Sequence, residues 1–168
     1  MFTTTLRHNA QILLAELRAG ALTLATAESC TGGLIIGLMT EIPGSSDVVE
    51  RGFVTYSNDA KVECLGVNPQ LIERCGAVSE PVARAMAEGA LIHSNADIAI
   101  SVTGVAGPGG GSAEKPVGLV HMAVARSGAQ TVHVEQRFGD IGRGEIRMRT
   151  VSAAVVMLRE VIRGGESR

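Results

Sequence analysis

The sequence predicts an α/β chain, a three-layer α/β/α sandwich on a mixed, mostly parallel sheet. Three observations lead there. Short apolar runs alternate with stretches of helical periodicity over the first two thirds of the chain, the order expected of βα units. A hairpin-like pair of runs, 117–126 and 131–138, then follows across Ser127-Gly128. Glycine is abundant, at 21 of 168 residues, and hydrophobic residues make up 45%, as tight turns around a sizeable core require.

Taken in order, the first element is a helix with apolar residues at Leu6, Ala10, Leu13, Leu14 and Leu17, closed by Gly20. A strand at 22–26 leads into a tight polar turn around Ser29, and a helix from there reaches about 41. Pro43-Gly44-Ser45-Ser46-Asp47 is a loop. Residues 52–57 alternate and read as a strand, after which Asn58 or Asp59 caps a short helix carrying Lys61. Ser79-Glu80-Pro81 opens a helix to about Ser94, with Ser79 as cap and Pro81 in the first turn. Ile98 to Val102 is a buried strand, and the glycine-rich run from Thr103 to Ser112 is a loop. After the hairpin a helix over 143–162 ends the fold, with Gly164 to Arg168 as a polar tail. Linkers, repeats and low-complexity tracts are missing, so residues 1–168 are expected to form a single domain.

Composition narrows the function. With 15 basic and 17 acidic residues and only 2% aromatics, the chain lacks the basic tract and stacking platforms of a nucleic-acid binder. Cys30, Cys64 and Cys75 are odd in number and unevenly spaced, as reduced thiols are, and they form neither a disulfide framework nor a metal site. A secretory leader is not evident at the N-terminus, and no apolar run approaches the roughly 18 residues of a membrane span. A cytoplasmic location is expected, with no membrane partner.

The chemistry centres on Thr26-Ala27-Glu28-Ser29-Cys30-Thr31-Gly32-Gly33. A strand–turn–helix order puts Ser29 where backbone N–H groups converge and a helix dipole favours negative charge. Ser29 there is either a nucleophile or a helix cap. The residues flanking Ser29 are not the glycines of a nucleophile elbow, and His8, His93, His121 and His133 all lack a polar strand-end setting, which disfavours a histidine triad. Lys61, just after a strand end, is the better base if burial keeps it neutral; otherwise it is a solvated helix lysine. The loop after Thr103, beginning with Gly104, permits close ligand approach but matches neither a dinucleotide nor a P-loop fingerprint, and it also fits a mobile surface loop. Thr103 either bonds Ser29 or a substrate carbonyl, or it caps the loop. Arg143 and Arg147, four apart, form a fork for one phosphate or a solvated basic face with Arg149 and Glu145.

Several stretches in one order carry a resemblance. They are Ala27 to Gly33, Gly44-Ser45-Ser46, Arg51-Gly52-Phe53-Val54-Thr55-Tyr56-Ser57-Asn58, Ala60-Lys61, Gly76-Ala77-Val78-Ser79-Glu80-Pro81 and Gly104-Val105-Ala106-Gly107-Pro108. Gly110-Gly111-Ser112 with Lys115-Pro116-Val117-Gly118 completes the set. Together they resemble the CinA C-terminal domain family over nearly the whole chain. The resemblance implies a nicotinamide-nucleotide amidohydrolase that turns nicotinamide mononucleotide and water into nicotinic acid mononucleotide and ammonia. It implies Ser29 as nucleophile, Lys61 as general base and Tyr56 as an active-site residue. Ser46, Thr103 and the arginines of the last helix match further pocket positions. The backbone of Cys30, Thr31, Gly32 and Gly33 would supply the oxyanion donors. No metal and no cofactor is implied, the partner is a small nucleotide, and a homo-oligomer is expected. Many family members carry an additional N-terminal domain, and this chain reads as the stand-alone form. The segment Gly139-Asp140-Ile141-Gly142-Arg143 is longer than the family's pattern, which leaves open whether Arg143 or Arg147 meets the phosphate. The alternative function is a catalytically silent nucleotide-binding or interaction module of the same fold.

Overall fold

A computed structural model describes residues 2–165. Its elements are α1 (Thr4–Ala19), β1 (Leu24–Glu28), α2 (Leu34–Thr40), a single 3-10 turn at Ser45–Asp47, β2 (Val49–Val54), α3 (Asn58–Leu65), α4 (Pro69–Cys75) and α5 (Glu80–Ile92). They continue with β3 (Ile98–Gly104), β4 (Leu119–Arg126), β5 (Val132–Arg137) and α6 (Arg143–Gly165). The five strands form one sheet in the order β2-β1-β3-β4-β5. β1 pairs in parallel with β2 and β3, while β4 is antiparallel to both β3 and β5. Only β4 therefore runs against the others, as expected for a mixed, mostly parallel sheet.

Two helical layers cover the sheet because its buried strands are apolar on both faces. Ile98, Ile100 and Val102 of β3 with Val120, Met122 and Val124 of β4 face Leu13 and Leu17 of α1, Leu38 of α2 and Val155 and Leu158 of α6. The other face is lined by small residues, Ala25 and Ala27 of β1, Ala99 of β3 and Ala123 and Ala125 of β4. Small side chains let α5 lie close, through Ala83, Met86, Ala87 and Ala90. A Cβ on Gly89 would collide with the Leu65 carbonyl, so glycine is required where α5 crosses the end of α3. α3 and α4 complete that layer.

The chain leaves β1 for its neighbour β2 on one side and later enters β3 on the other. The C-terminal ends of β1 and β3 thus form a topological switch point, where open α/β sheets leave a crevice for ligands. The Ser29 turn leaves β1 there and the glycine loop leaves β3 there.

Several boundaries differ from the sequence expectation. β1 starts at Leu24 and runs on to Glu28, because its parallel register with β3 carries from Leu24↔Ile98 to Glu28↔Val102. β2 covers 49–54, not 52–57, since its pairing with β1 ends at Val54 and the next residues turn toward α3. Ser57, not Asn58 or Asp59, caps α3, accepting the Ala60 N–H at 3.0 Å. α4 is an element without a counterpart in the sequence reading; Asn68 caps it and Pro69 fills its first position. Ser79 sits at the N-cap of α5, but its hydroxyl donates to the Gly76 carbonyl at 2.8 Å. α6 continues to Gly165, beyond the expected 162, and Glu166, Ser167 and Arg168 of the expected tail lie outside the described residues. Among the described residues no helix is long and apolar enough to cross a membrane.

Candidate active site

Ser29 follows directly on β1 and is anchored there: its N–H donates to the Val102 carbonyl of β3 at 3.0 Å. Its own carbonyl accepts the Gly32 N–H at 3.1 Å, closing a tight turn. Gly32 (φ +59°) and Gly33 (φ +92°) occupy the left-handed region, which glycine enters without strain. The side chain, like Ala25 and Ala27 before it, belongs to the α3–α5 side of the sheet. There its Oγ lies 3.0 Å from Lys61 Nζ.

Lys61 is 1% exposed, among the largest fully buried side chains of the protein. Its Nζ also donates to the carbonyls of Thr55 (2.9 Å), Tyr56 (3.4 Å) and Ser57 (3.4 Å), the three residues by which the chain leaves β2 for α3. Its bonded partners include no carboxylate. Burial lowers its pKa from the ordinary lysine value, and only the neighbouring Cys30 thiol opposes that. The polar shell suits both protonation states: an ammonium has three donors for the carbonyls, whereas a neutral amine bonds two and turns its lone pair to Ser29. The solvated-lysine alternative is excluded by the burial.

The turn is braced from two sides. Glu28, fully buried, accepts the N–H groups of Gly33 (3.0 Å), Ile35 (3.0 Å) and Ile36 (2.9 Å) and the Thr26 hydroxyl (3.2 Å). Arg147 of α6 donates from Nε to the Cys30 carbonyl (3.1 Å) and from Nη2 to the Thr31 carbonyl (2.9 Å). Both effects revise the expectation for this segment. Ser29 is not a helix cap, because α2 begins at Leu34 with Gly33 at its N-cap, and the donors of that helix end serve Glu28. The Gly32 and Gly33 N–H groups are likewise taken, by the Ser29 carbonyl and Glu28, leaving those of Cys30 and Thr31 as candidate oxyanion donors. Cys30 itself is buried and its thiol is pushed up to about 12, chiefly by desolvation. A protonated thiol of that kind is a poor nucleophile.

Tyr56 is 62% exposed. Its hydroxyl accepts from Arg143 Nη2 at 3.1 Å, and Arg143 Nη1 donates to the Gly107 carbonyl at 2.9 Å. Arg143 thereby links the β2–α3 turn to the glycine loop across the mouth of the crevice. Thr103 does not reach Ser29: it is 1% exposed and donates to the Ala77 carbonyl at 2.8 Å, tying β3 to the segment before α5. Gly104 closes β3 against β4, where a Cβ would press on the Leu119 carbonyl and Val120. Ser46 stands apart. It lies in the 3-10 turn before β2, at the N-terminal end of the sheet, whereas Ser29 leaves the C-terminal end, roughly 15 Å along the strand. Ser29, Lys61, Tyr56, Cys30, Thr31, Gly32, Gly33, Arg143 and Arg147 are gathered at the switch point; Ser46 is not.

Glu28 escaped the sequence reading, although an acidic residue closing an apolar strand just before an uncapped helix was the available signal. The histidines also need correction. His121 and His133 do form a polar cluster, with His121 Nδ1 3.0 Å from His133 Nε2 and Glu80 3.6 Å from His133 Nδ1. Burial lowers both pKa values, and neither ring bonds Ser29. Among the described residues no group of three His, Cys, Asp or Glu side chains has the geometry to hold a metal ion. Open grooves line the β5–α6 edge, around Met122, Val134, Phe138, Val156 and Met157, and carry none of the candidate residues. Chemistry, not depth, selects the site.

Fold and site together define a three-layer α/β protein with a buried serine–lysine pair at the switch point of its sheet. The chain belongs to the CinA family: the model described as CinA C-terminal domain matches residues 6–162. It is 51% identical over 152 residues to a CinA-like protein of Mycolicibacterium vanbaalenii, covering 90% of this chain and 36% of that one. It is 59% identical over 118 residues to a putative competence-damage inducible protein of Symbiobacterium thermophilum, covering 70% and 27%. The match thus spans 36% and 27% of the length of these two curated relatives. Among solved structures, competence/damage inducible protein CihA from Agrobacterium tumefaciens superposes with a TM-score of 0.93 at 52% identity, over 95% of this chain and 97% of that one. A CinA superfamily protein from Escherichia coli gives 0.89 at 33% identity, over 96% and 94%.

Proposed function

We propose that the chain is a serine amidohydrolase that converts nicotinamide mononucleotide to nicotinic acid mononucleotide and ammonia. One observation carries the mechanism: Lys61, buried and without a carboxylate partner, holds Nζ 3.0 Å from Ser29 Oγ. The nucleotide substrate rests on the resemblance to the family. A homo-oligomeric state belongs to the same proposal.

In this reading neutral Lys61 takes the Ser29 proton while Oγ attacks the carboxamide carbon. The oxyanion meets the N–H groups of Cys30 and Thr31; one such donor is typically worth about 2.7–4 kcal/mol. Collapse of the tetrahedral adduct breaks the C–N bond, and protonated Lys61 returns the proton to departing ammonia. Water, deprotonated by the same lysine, then attacks the acyl-serine; the acid leaves and Ser29 recovers its proton. Arg147 braces two carbonyls inside the Ser29 turn, whereas one of the two partners of Arg143 is the exposed Tyr56 hydroxyl, which a phosphate could displace; in this reading Arg143 meets the phosphate.

The test is ammonia release from nicotinamide mononucleotide by the wild type, Ser29→Ala and Lys61→Ala. The expected result is release by the wild type and a loss on the order of 10³-fold or more in either variant. The rival reading is a silent nucleotide-binding module. It draws on the three carbonyls around Lys61, which also fit a purely structural clasp. Tight nucleotide binding without any acid product would favour it, whereas wild-type rates in folded Ser29→Ala would overturn Ser29 as the nucleophile.

A further inference from the structure

Glu28 is a fully buried acid that touches neither Lys61 nor any arginine among the described residues. Burying a carboxylate is costly unless charge-assisted hydrogen bonds replace its water. Three backbone N–H groups and one hydroxyl do so here. The effect on the turn emerges when its donors are followed one by one. The Ser29 N–H goes to Val102, that of Gly32 to Ser29 and that of Leu34 to Thr31. Gly33, Ile35 and Ile36 go to Glu28. Cys30 and Thr31 are left.

Peptide planarity sets where those two point. The Cys30 carbonyl is held by Arg147, so the Thr31 N–H of the same trans peptide is directed away from that arginine. The Ser29 carbonyl is held by Gly32, so the Cys30 N–H is directed out of the turn. Without an internal acceptor, the α2 end would be an open set of donors competing for any anion that enters.

We propose that Glu28 is a positioning residue for Ser29: it occupies the donors of the α2 end and so reserves the Cys30 and Thr31 N–H groups for the oxyanion. This rests on the reading of Ser29 as nucleophile, and it does not depend on which amide is the substrate. It also removes the α2 end as a phosphate site, leaving that task to side chains at the crevice mouth.

The experiment measures phosphonylation of Ser29 by a fluorophosphonate, in which Oγ bonds phosphorus, fluoride leaves and Lys61 takes the proton. Labelling is followed by mass spectrometry per folded molecule, alongside ammonia release. Glu28→Gln keeps the shape but presents an amide NH₂ to a backbone N–H. Its labelling and kcat should fall together on the order of 10- to 100-fold while KM stays within about twofold. Thr26→Val, which removes only the hydroxyl donor, should stay folded and lose about two- to fivefold. A cap that is merely structural lowers Tm and leaves labelling per folded molecule unchanged. Wild-type labelling in folded Glu28→Gln overturns the proposal. Should Glu28→Gln fail to fold, Thr26→Val decides by the same criterion. Labelling that falls from wild type to Glu28→Gln, with no ammonia release by the wild type, rejects the substrate and supports Glu28; absence of Ser29 labelling in the wild type overturns both.

Discussion

Lys61 is where burial and chemistry meet. Desolvation favours its neutral form, so kcat/KM should rise with pH through a midpoint below the ordinary value of 10.5 and level off above that midpoint. A pH–rate profile with no rising limb anywhere below 10.5 would contradict a lysine base. The same shift links to stability: between the folded-state value and 10.5 the unfolded chain binds the extra proton, so this contribution rises with pH. Cys30 acts in the opposite sense. Burial pushes its thiol up from the ordinary 9.0 to about 12, so the folded chain holds the proton longer and stability falls above pH 9. The slope from that group is at most about 1.4 kcal/mol per pH unit. Cys30→Ala should flatten the alkaline fall in urea melts, and iodoacetamide at neutral pH should modify the exposed Cys64 and spare Cys30. Rapid alkylation of Cys30 in the folded protein would refute its description as a buried, protonated thiol. In the sequence, the strand–turn–helix order and a lysine after a strand end pointed to Ser29 and Lys61 but left a helix cap and a solvated lysine open. The ordered motifs of the family resemblance paired them, and the fold brings them to 3.0 Å. Glu28 and the commitment of Arg147 were not legible in the sequence, since both depend on which backbone groups the fold leaves without partners.

At the scale of elements, the legible ones announce themselves by periodicity or by turn residues. α1 shows its buried stripe directly, and β3 is a continuous apolar run. β2 was misplaced by three residues because alternation in 52–57 mimics a strand, whereas hydrogen bonding to β1 determines where it ends. α4 escaped because seven residues are too few to display a period; its Asn68 cap and Pro69 were the signs on offer. The contact of α5 with α3 gives a sharp test. Gly89→Ala would gain about 1 kcal/mol in helix propensity, but the Leu65 carbonyl blocks the new methyl. Overpacking of about 1–3 kcal/mol should win. Urea denaturation should show a lower midpoint, and an unchanged or raised one would mean that α5 moves aside freely.

Across the whole molecule, strand order does what no single motif can. Because β1 lies between β2 and β3, residues far apart in sequence, Ser29, Lys61, Gly107 and Arg143, converge on one crevice. Lys61 and Ser29 are both supplied by a single chain. Specific activity should therefore stay constant on dilution, even where sedimentation shows an assembly coming apart; a fall that follows dissociation would place part of the site on a second copy. Ser46, at the far end of the sheet, is the residue to watch in that experiment. The central claim, that Ser29 attacks with Lys61 as its base, is tested most directly by trapping the acyl-enzyme. The protein is mixed with nicotinamide mononucleotide, quenched in acid within the first turnover and mapped by peptide mass spectrometry. The account predicts the nicotinic acid mononucleotide acyl group on Ser29 in the wild type and its loss in Lys61→Met. Ammonia release with no adduct on Ser29 at any quench time, or an adduct of equal yield in Lys61→Met, would contradict it.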